Sequence, residues 1–181
     1  MVDTQTLDLT LSDLLFDTAK RGSDAYYWHI AGTEWGVKFF CTEKERDINY
    51  KRQCEGIELG IAPQLGDKVE CIIEGEMMFG FITEHVTTFR KALFDHYSLP
   101  ENWRECEPCH LDFWQQVNDG IEDVPPHLNE LEAQLLEKIE KFPREVKNRI
   151  LYDFHDGNWG FTKNNVPVIL DFSRQGRTSD Y

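Results

Sequence analysis

The first half of the chain alternates short apolar runs with glycine-containing breaks, a pattern typical of β-strands joined by turns. Five such runs predict strands at residues 9–16, 25–30, 35–40, 68–73 and 77–83. They are separated by Gly22, Gly32, Gly66 and Gly75. The last two runs flank the sequence EGE, which predicts a hairpin.

Two regions carry a helical pattern. The charged segment 42–66 predicts one helix that ends near Gly60 and Pro63. Later, apolar residues recur every three or four positions, and Pro143 interrupts them, so we expect a helix that is kinked or restarts there before the chain reaches Asp153. This apolar stripe comprises Leu128, Leu131, Leu135, Ile139 and Phe142, with Val146 and Ile150 in the same rhythm. Strands followed by helices predict an α+β fold.

The segment LYDFHDGNWGFTKNNVPVILDFS, residues 151–173, holds the candidate chemistry. Asp153 and Asn158 are separated by four residues, and Asp171 follows a short apolar run that predicts a buried strand. Asp, Gly and Asn also favour turns, so a purely structural hairpin is the alternative. Hard oxygen ligands such as Asn158 and Asp171 suit Mg²⁺, which keeps several waters and takes few protein groups.

Length and composition favour one compact domain of one or two lobes, since 40% of the 181 residues are hydrophobic. No run approaches the about 20 apolar residues that span a bilayer. The acidic N-terminus does not resemble a secretory signal, so we expect a cytoplasmic protein that binds no membrane. Five cysteines, an odd number, favour reduced thiols.

The net charge of −14 repels phosphate backbones and argues against nucleic acid as a partner. It fits a cationic substrate or a basic partner protein. The alternative is a well-solvated acidic surface without a specific partner.

Three upstream signals precede the acidic loop in the chain. Gly22 and Ser23 lie between the first two predicted strands, and Lys38 lies in the otherwise apolar third strand, WGVKFF. An inward lysine requires a charged partner, whereas an edge-strand lysine would point to water. The segment FGFITEHV, which contains Glu84 and Val86, ends the fifth strand.

These motifs, in this order, resemble the protein-kinase-like superfamily over its small lobe and the first half of its large lobe. YDFHDGN is closest to the GDLHPGN loop of aminoglycoside phosphotransferases and related small-molecule kinases, and VILDFS is similar to the strand and DFG motif. The resemblance implies a bilobal fold, with a five-stranded N-lobe over residues 1–86 and a reduced, mainly helical C-lobe over residues 87–181.

The resemblance also implies a role for each candidate residue. Asp153 would be the catalytic base or would orient the attacking hydroxyl, and Asn158 and Asp171 would bind magnesium. The ATP-binding residues would be a phosphate-covering loop, a phosphate-binding lysine with its acidic partner, and a hinge whose backbone receives adenine: Gly22, Ser23, Lys38, Glu55, Glu84 and Val86. Asp47 is the other candidate partner of Lys38.

The chain departs from the family pattern in three places. Leu151 and Tyr152 replace the His and Arg of HRD, and Ser173 replaces the glycine of DFG. Only ten residues follow Asp171, which leaves no APE motif. We therefore expect either a minimal kinase, a kinase completed by a partner protein, or a pseudokinase.

Two further motifs receive structural interpretations. CEPCH, at Cys106, Cys109 and His110, matches a haem-attachment motif or half of a zinc site, but two thiols without a cofactor are the preferred interpretation. His155 could be a catalytic base, and a role in bracing the loop is preferred.

The sequence thus predicts an ATP- and Mg²⁺-dependent phosphotransferase that transfers the γ-phosphoryl group to a hydroxyl of a protein or a small cationic molecule. The alternative is a nucleotide-binding pseudokinase that acts as an interaction or regulatory module.

Overall fold

The computed structural model describes residues 20–21, 25–73, 75–98, 124–152 and 154–171. Within these ranges the chain is α+β, with two antiparallel sheets and four helices. None of these helices is long and apolar enough to cross a membrane. The strands are β1 (Lys20–Arg21), β2 (Tyr26–His29), β3 (Trp35–Phe40), β4 (Leu65–Ile73), β5 (Glu76–Glu84), β6 (Thr87–Thr88), β7 (Trp159–Phe161) and β8 (Pro167–Ile169). The helices are α1 (Glu43–Glu58), α2 (Phe89–His96), α3 (Pro126–Glu140) and α4 (Arg144–Leu151).

The larger sheet has the strand order β1-β2-β3-β5-β4, so β3 is its central strand. Side chains alternate between the two faces of a strand. Val37 and Phe39 therefore pack on one face with Trp28, whereas Lys38 points to the opposite face. Lys38 pairs across the strands with Tyr27 on β2 and Phe81 on β5. This register places a lysine in the middle of the sheet.

Helix α1 covers the face of the sheet on which Lys38 lies. It begins at its N-cap Thr42, whose hydroxyl accepts a hydrogen bond from the Glu45 N–H at 3.2 Å. It ends before Gly60, whose φ of 71° is a left-handed conformation that glycine adopts without strain. The predicted end of this helix near Gly60 is thereby confirmed.

The smaller sheet, of order β6-β7-β8, packs with helices α2, α3 and α4 around one apolar core. Trp159 of β7 is 1% exposed in this core. Strands β6 and β7 lie so close that a Cβ at Gly160 would collide with the Thr87 carbonyl oxygen. The predicted apolar stripe is buried here through Leu128, Leu131, Leu135 and Ile139, and the helix restarts at Pro143, the N-cap of α4.

The segment after α1 connects the two sheets. Ile61 is fully buried in the core of the smaller sheet, and its carbonyl oxygen accepts a hydrogen bond from the Ile169 N–H at 2.7 Å. The chain leaves the larger sheet at Glu84 and enters the smaller one at Thr87. The division into an N-lobe and a C-lobe at residue 86 stays a prediction.

Most predicted elements are present, with shifted ends. The strand predicted at 68–73 begins at Leu65, and a register shift separates Leu65 from Lys68. The strand predicted at 9–16 lies outside the described residues, and the first strand of the sheet is Lys20–Arg21. Cys41, Cys54 and Cys71 carry free thiols. Cys106, Cys109, His110 and Ser173 also lie outside the described residues.

Candidate functional site

Lys38 and Asp171 meet in a cleft between the two sheets. The Lys38 Nζ lies 3.7 Å from Asp171 Oδ2, and the Lys38 side chain is only 17% exposed. Because β3 is a central strand, this lysine is not an edge-strand residue that points to water. Phe81 packs beside it, fully buried, and the Phe40 ring centroid is 5.9 Å from Nζ. The inward lysine thus has the charged partner that burial requires.

The β7–β8 hairpin brings the two candidate magnesium ligands close together. Its strands pair Trp159 with Ile169. Asn158, which precedes Trp159, therefore lies next to the residues that follow Ile169. The Leu170 N–H donates to the carbonyl oxygen of Asn158 at 2.8 Å. Asn158 is therefore tied by its backbone to the residue that precedes Asp171.

Asp153, the predicted base, lies outside the described residues, as do Gly22 and Ser23 of the predicted phosphate-covering loop. Their roles stay predictions. The loop after Asp153 is described from Phe154 onward. His155 braces it: its Nδ1 accepts a hydrogen bond from the Gly157 N–H at 3.1 Å, and its carbonyl oxygen accepts one from the Asn158 N–H at 2.9 Å.

A partly buried ion pair that the sequence analysis missed anchors the same loop. The Arg90 guanidinium donates two hydrogen bonds to Asp156, both of 2.6 Å, and the Arg90 N–H also donates to the Asp156 carbonyl oxygen at 3.2 Å. Hydrogen bonding to this carboxylate raises the pKa of Arg90. The two residues are 66 positions apart, and no local sequence pattern links them.

The predicted hinge residues occupy the connection between the sheets. The Glu84 N–H donates to the Gln64 carbonyl oxygen at 2.9 Å, so this donor is already engaged within the protein. Val86 is 8% exposed. The binding of adenine by this segment stays a prediction. In this conformation the Glu84 N–H does not offer adenine a hydrogen bond, because it already donates to Gln64.

The predicted acidic partner of Lys38 is not the one found. Glu55 pairs with Arg149 at 3.4 Å, and Asp47 pairs with Lys68 at 2.9 Å. Asp171 takes the place that Glu55 was expected to fill. The physical reason is the rotation of α1, which turns a different face toward the cleft and leaves Glu55 on its flank.

The face that α1 turns toward the cleft carries Asn49, Arg52 and Gln53. These residues line the cleft with Lys38, Phe81, Leu170 and Asp171, and its volume is about 180 Å³ including its open mouth. Their spacing of three and four positions marks one helix face, and this signal could have identified them from the sequence. Gln53, 5% exposed, donates through its amide to the Pro63 carbonyl oxygen at 2.9 Å and to Thr83 Oγ1 at 2.7 Å.

The two candidate metal ligands have the donor type that fits Mg²⁺ better than a softer metal. Asn158 and Asp171 supply oxygen atoms, and the described part of the chain contains no group of three or more His, Cys, Asp or Glu side chains that could hold a metal ion. Zinc takes about four protein ligands in a structural site, whereas Mg²⁺ is held by one or two side chains with waters and phosphate oxygens.

A scan against protein-family models found no match to this chain, and a search of curated proteins found none either.

Proposed function

We propose that the protein is a small kinase-like phosphotransferase that uses ATP and Mg²⁺. The observation that carries the proposal is the 3.7 Å approach of Lys38 to Asp171 in a cleft. The hydrogen bond from the Leu170 N–H to the Asn158 carbonyl oxygen supports it, because it ties the backbone of Asn158 to the residue before Asp171. Both features agree with the roles that the motifs imply for these residues in the proposed bilobal kinase-like fold.

In the proposed reaction, Lys38 holds the phosphates of ATP and Asp153 orients the acceptor hydroxyl. The acceptor oxygen forms a bond to the γ-phosphorus as the bond to the bridging oxygen breaks, and ADP leaves. The hydroxyl proton passes to the Asp153 carboxylate. Mg²⁺, held by Asn158 and Asp171, would neutralise charge on the phosphates.

The geometry of the Lys38–Asp171 pair would allow Lys38 to exchange Asp171 for the phosphates of ATP. Asp171 is 42% exposed and the contact is long for an ion pair. A pair of this kind contributes at most about 1 kcal/mol to stability. The phosphates of ATP can therefore replace Asp171 as the partner of Lys38 at low cost, which leaves the carboxylate for the metal.

The excess of acidic side chains, 33 against 19 Lys and Arg, favours an acceptor of positive charge. A small cationic molecule and a basic protein both meet this condition. The likeness of YDFHDGN to the loop of small-molecule kinases favours the small molecule.

The test is turnover of ATP by the native chain and by Asp153→Ala, with detection of phosphorylated products. We expect the Asp153→Ala rate to fall by about 100-fold or more, since a positioned general base contributes about 10²–10⁴-fold. Asp67→Ala is the matched control, because Asp67 is exposed on β4 and does not line the cleft. Equal rates for the native chain and Asp153→Ala would remove Asp153 from catalysis.

A second candidate function is a pseudokinase that serves as an interaction module. The observation in its favour is the small size of the cleft, whose enclosed space of about 10 Å³ is about the room of one water molecule, whereas small-molecule sites usually measure about 300–1,000 Å³. This alternative requires that no acceptor becomes phosphorylated. A phosphorylated product that disappears in Asp171→Asn would exclude it.

A further inference from the structure

The charges of α1 are distributed unevenly around the helix. Three of its carboxylates are engaged away from the cleft: Glu43 and Asp47 bind the buried Arg46 at 2.8 Å each, and Glu55 binds Arg149. The residues of α1 that line the cleft are Asn49, Arg52 and Gln53, none of which is acidic. The helix therefore presents a cation and two amides to the cleft of an acidic protein.

The position of Arg52 on the helix is fixed by its neighbour. Gln53 is almost fully buried. Its amide nitrogen donates one hydrogen bond to Pro63, which follows α1, and one to Thr83, near the end of β5. Because Gln53 is the next residue along the helix, this anchor sets the rotation of that turn. Arg52 is consequently held at the wall of the cleft rather than at the outer surface.

We infer that Arg52 is a second phosphate-binding cation, which acts with Lys38 to clamp the polyphosphate of the nucleotide; this inference rests on the proposed function. In this arrangement the helix supplies a cation where we had expected it to supply Glu55. Lys38 and Arg52 come from β3 and α1, so an anion between them would be held from two elements.

The local charge balance supports this assignment. Among the described residues, the cleft lining contains two cations, Lys38 and Arg52, and one carboxylate, Asp171. When Asp171 turns to a metal ion, its carboxylate no longer opposes an anionic ligand between Lys38 and Arg52. A guanidinium binds phosphate through two parallel N–H donors, which gives direction as well as charge. The amides of Asn49 and Gln53 add polar lining without opposing charge.

The experiment measures binding to the full chain by titration calorimetry, with three probes: Mg²⁺-ATP, Mg²⁺-tripolyphosphate and adenosine. The variants are Arg52→Gln, which removes the charge, and Arg52→Lys, which keeps the charge without the two-donor geometry. Lys51→Gln is the matched control, since Lys51 is exposed on the same helix and does not line the cleft. Thermal unfolding of each variant checks that the fold is retained.

We expect Arg52→Gln to weaken Mg²⁺-ATP and Mg²⁺-tripolyphosphate by about 10- to 100-fold, the usual effect of losing hydrogen bonds from a charged group. Arg52→Lys should give a smaller loss, adenosine binding should not change, and Lys51→Gln should stay within about twofold of the native chain. If Arg52→Gln binds tripolyphosphate as tightly as the native chain does, the inference is overturned.

The probes separate this inference from the proposed function. If the native chain binds Mg²⁺-ATP and Arg52→Gln binds it equally well, the nucleotide site stands and the role of Arg52 falls. If the native chain binds tripolyphosphate but not ATP, and Arg52→Gln loses that binding, the clamp stands and the proposed function falls. A native chain that binds neither probe overturns both.

Discussion

Lys38 Nζ lies 3.7 Å from Asp171 Oδ2, which joins the central strand of the larger sheet to the residues that follow β8. The lysine is mostly covered by protein, whereas the aspartate is 42% exposed. A long contact to a partly exposed carboxylate stabilises a fold only slightly. The pair therefore contributes little to stability, which agrees with the ligand-binding role proposed for Lys38.

Lys38→Met tests this distinction, because methionine keeps most of the side-chain volume and removes the charge. We expect the free energy of unfolding to change by less than about 1 kcal/mol. The affinity for Mg²⁺-ATP should fall by about tenfold or more. Urea denaturation and a binding titration measure the two effects. A large loss of stability with unchanged ATP affinity would make Lys38 a structural residue.

Arg90→Met should destabilise the protein through the loop that contains Asp156. Two hydrogen bonds of 2.6 Å are lost and a partly buried carboxylate is left without them, so we expect a cost of about 1–3 kcal/mol in urea denaturation. Lys91→Met is the control, since it removes an exposed pair with Asp95 worth about 0.3–0.5 kcal/mol. Equal effects of the two changes would show that the loop does not depend on Arg90.

Leu135→Ala and Leu136→Ala compare adjacent positions on α3. Leu135 is fully buried in the core, whereas Leu136 is only partly buried. Leu135→Ala should cost about 2–5 kcal/mol because it leaves a cavity, and Leu136→Ala should cost clearly less. The comparison uses the midpoints of urea denaturation. A larger effect at Leu136 would contradict the position of the helix.

Replacement of two glutamates of α3 by glutamine should change the stability at pH 7 in opposite directions. Partial burial raises the pKa of Glu132 above its ordinary value of 4.5, so the ionised form opposes folding at neutral pH. Glu132→Gln should therefore stabilise the protein at pH 7. That gain should shrink as the pH falls toward and below 4.5, because the carboxyl is then protonated in the folded and the unfolded chain alike.

Glu137 is the control for this prediction. A hydrogen bond from Lys141 lowers its pKa, so its contribution to stability is present above pH 4.5 and is lost as the pH falls through the lowered value. Glu137→Gln should slightly destabilise the protein at pH 7. Denaturation curves between pH 7 and pH 4 measure both variants, and the same sign for both would refute the difference in environment.

The fold was predictable where the pattern is local. The apolar stripe of α3 identified its buried face, and Gly60 marked the end of α1, because helix periodicity and glycine conformation are properties of short segments. The start of β4 at Leu65 was missed, since a register shift follows it and only sheet pairing reveals that residue as a strand.

The candidate site was predictable in its residue types and less so in its contacts. Lys38 and Asp171 were named from motifs, and their proximity follows from the way the two sheets pack. The expected pairing of Lys38 with Glu55 is not the one present, because sequence alone does not give the rotation of α1 relative to the sheet. The Arg90–Asp156 pair could not be predicted from the sequence, since the two residues lie in distant segments that only the tertiary structure brings together.

The most direct test of the central claim, that Lys38 and Asp171 flank a Mg²⁺-nucleotide site, is the dependence of ATP binding on Mg²⁺. ATP would be titrated into the native chain and Asp171→Asn, each with Mg²⁺ and with a chelator, and Asp67→Asn would serve as the control. We expect the native chain to bind ATP at least about tenfold more tightly with Mg²⁺, and Asp171→Asn to lose that difference. A native chain whose ATP affinity is the same with and without Mg²⁺, or an Asp171→Asn that keeps the full difference, would contradict the account.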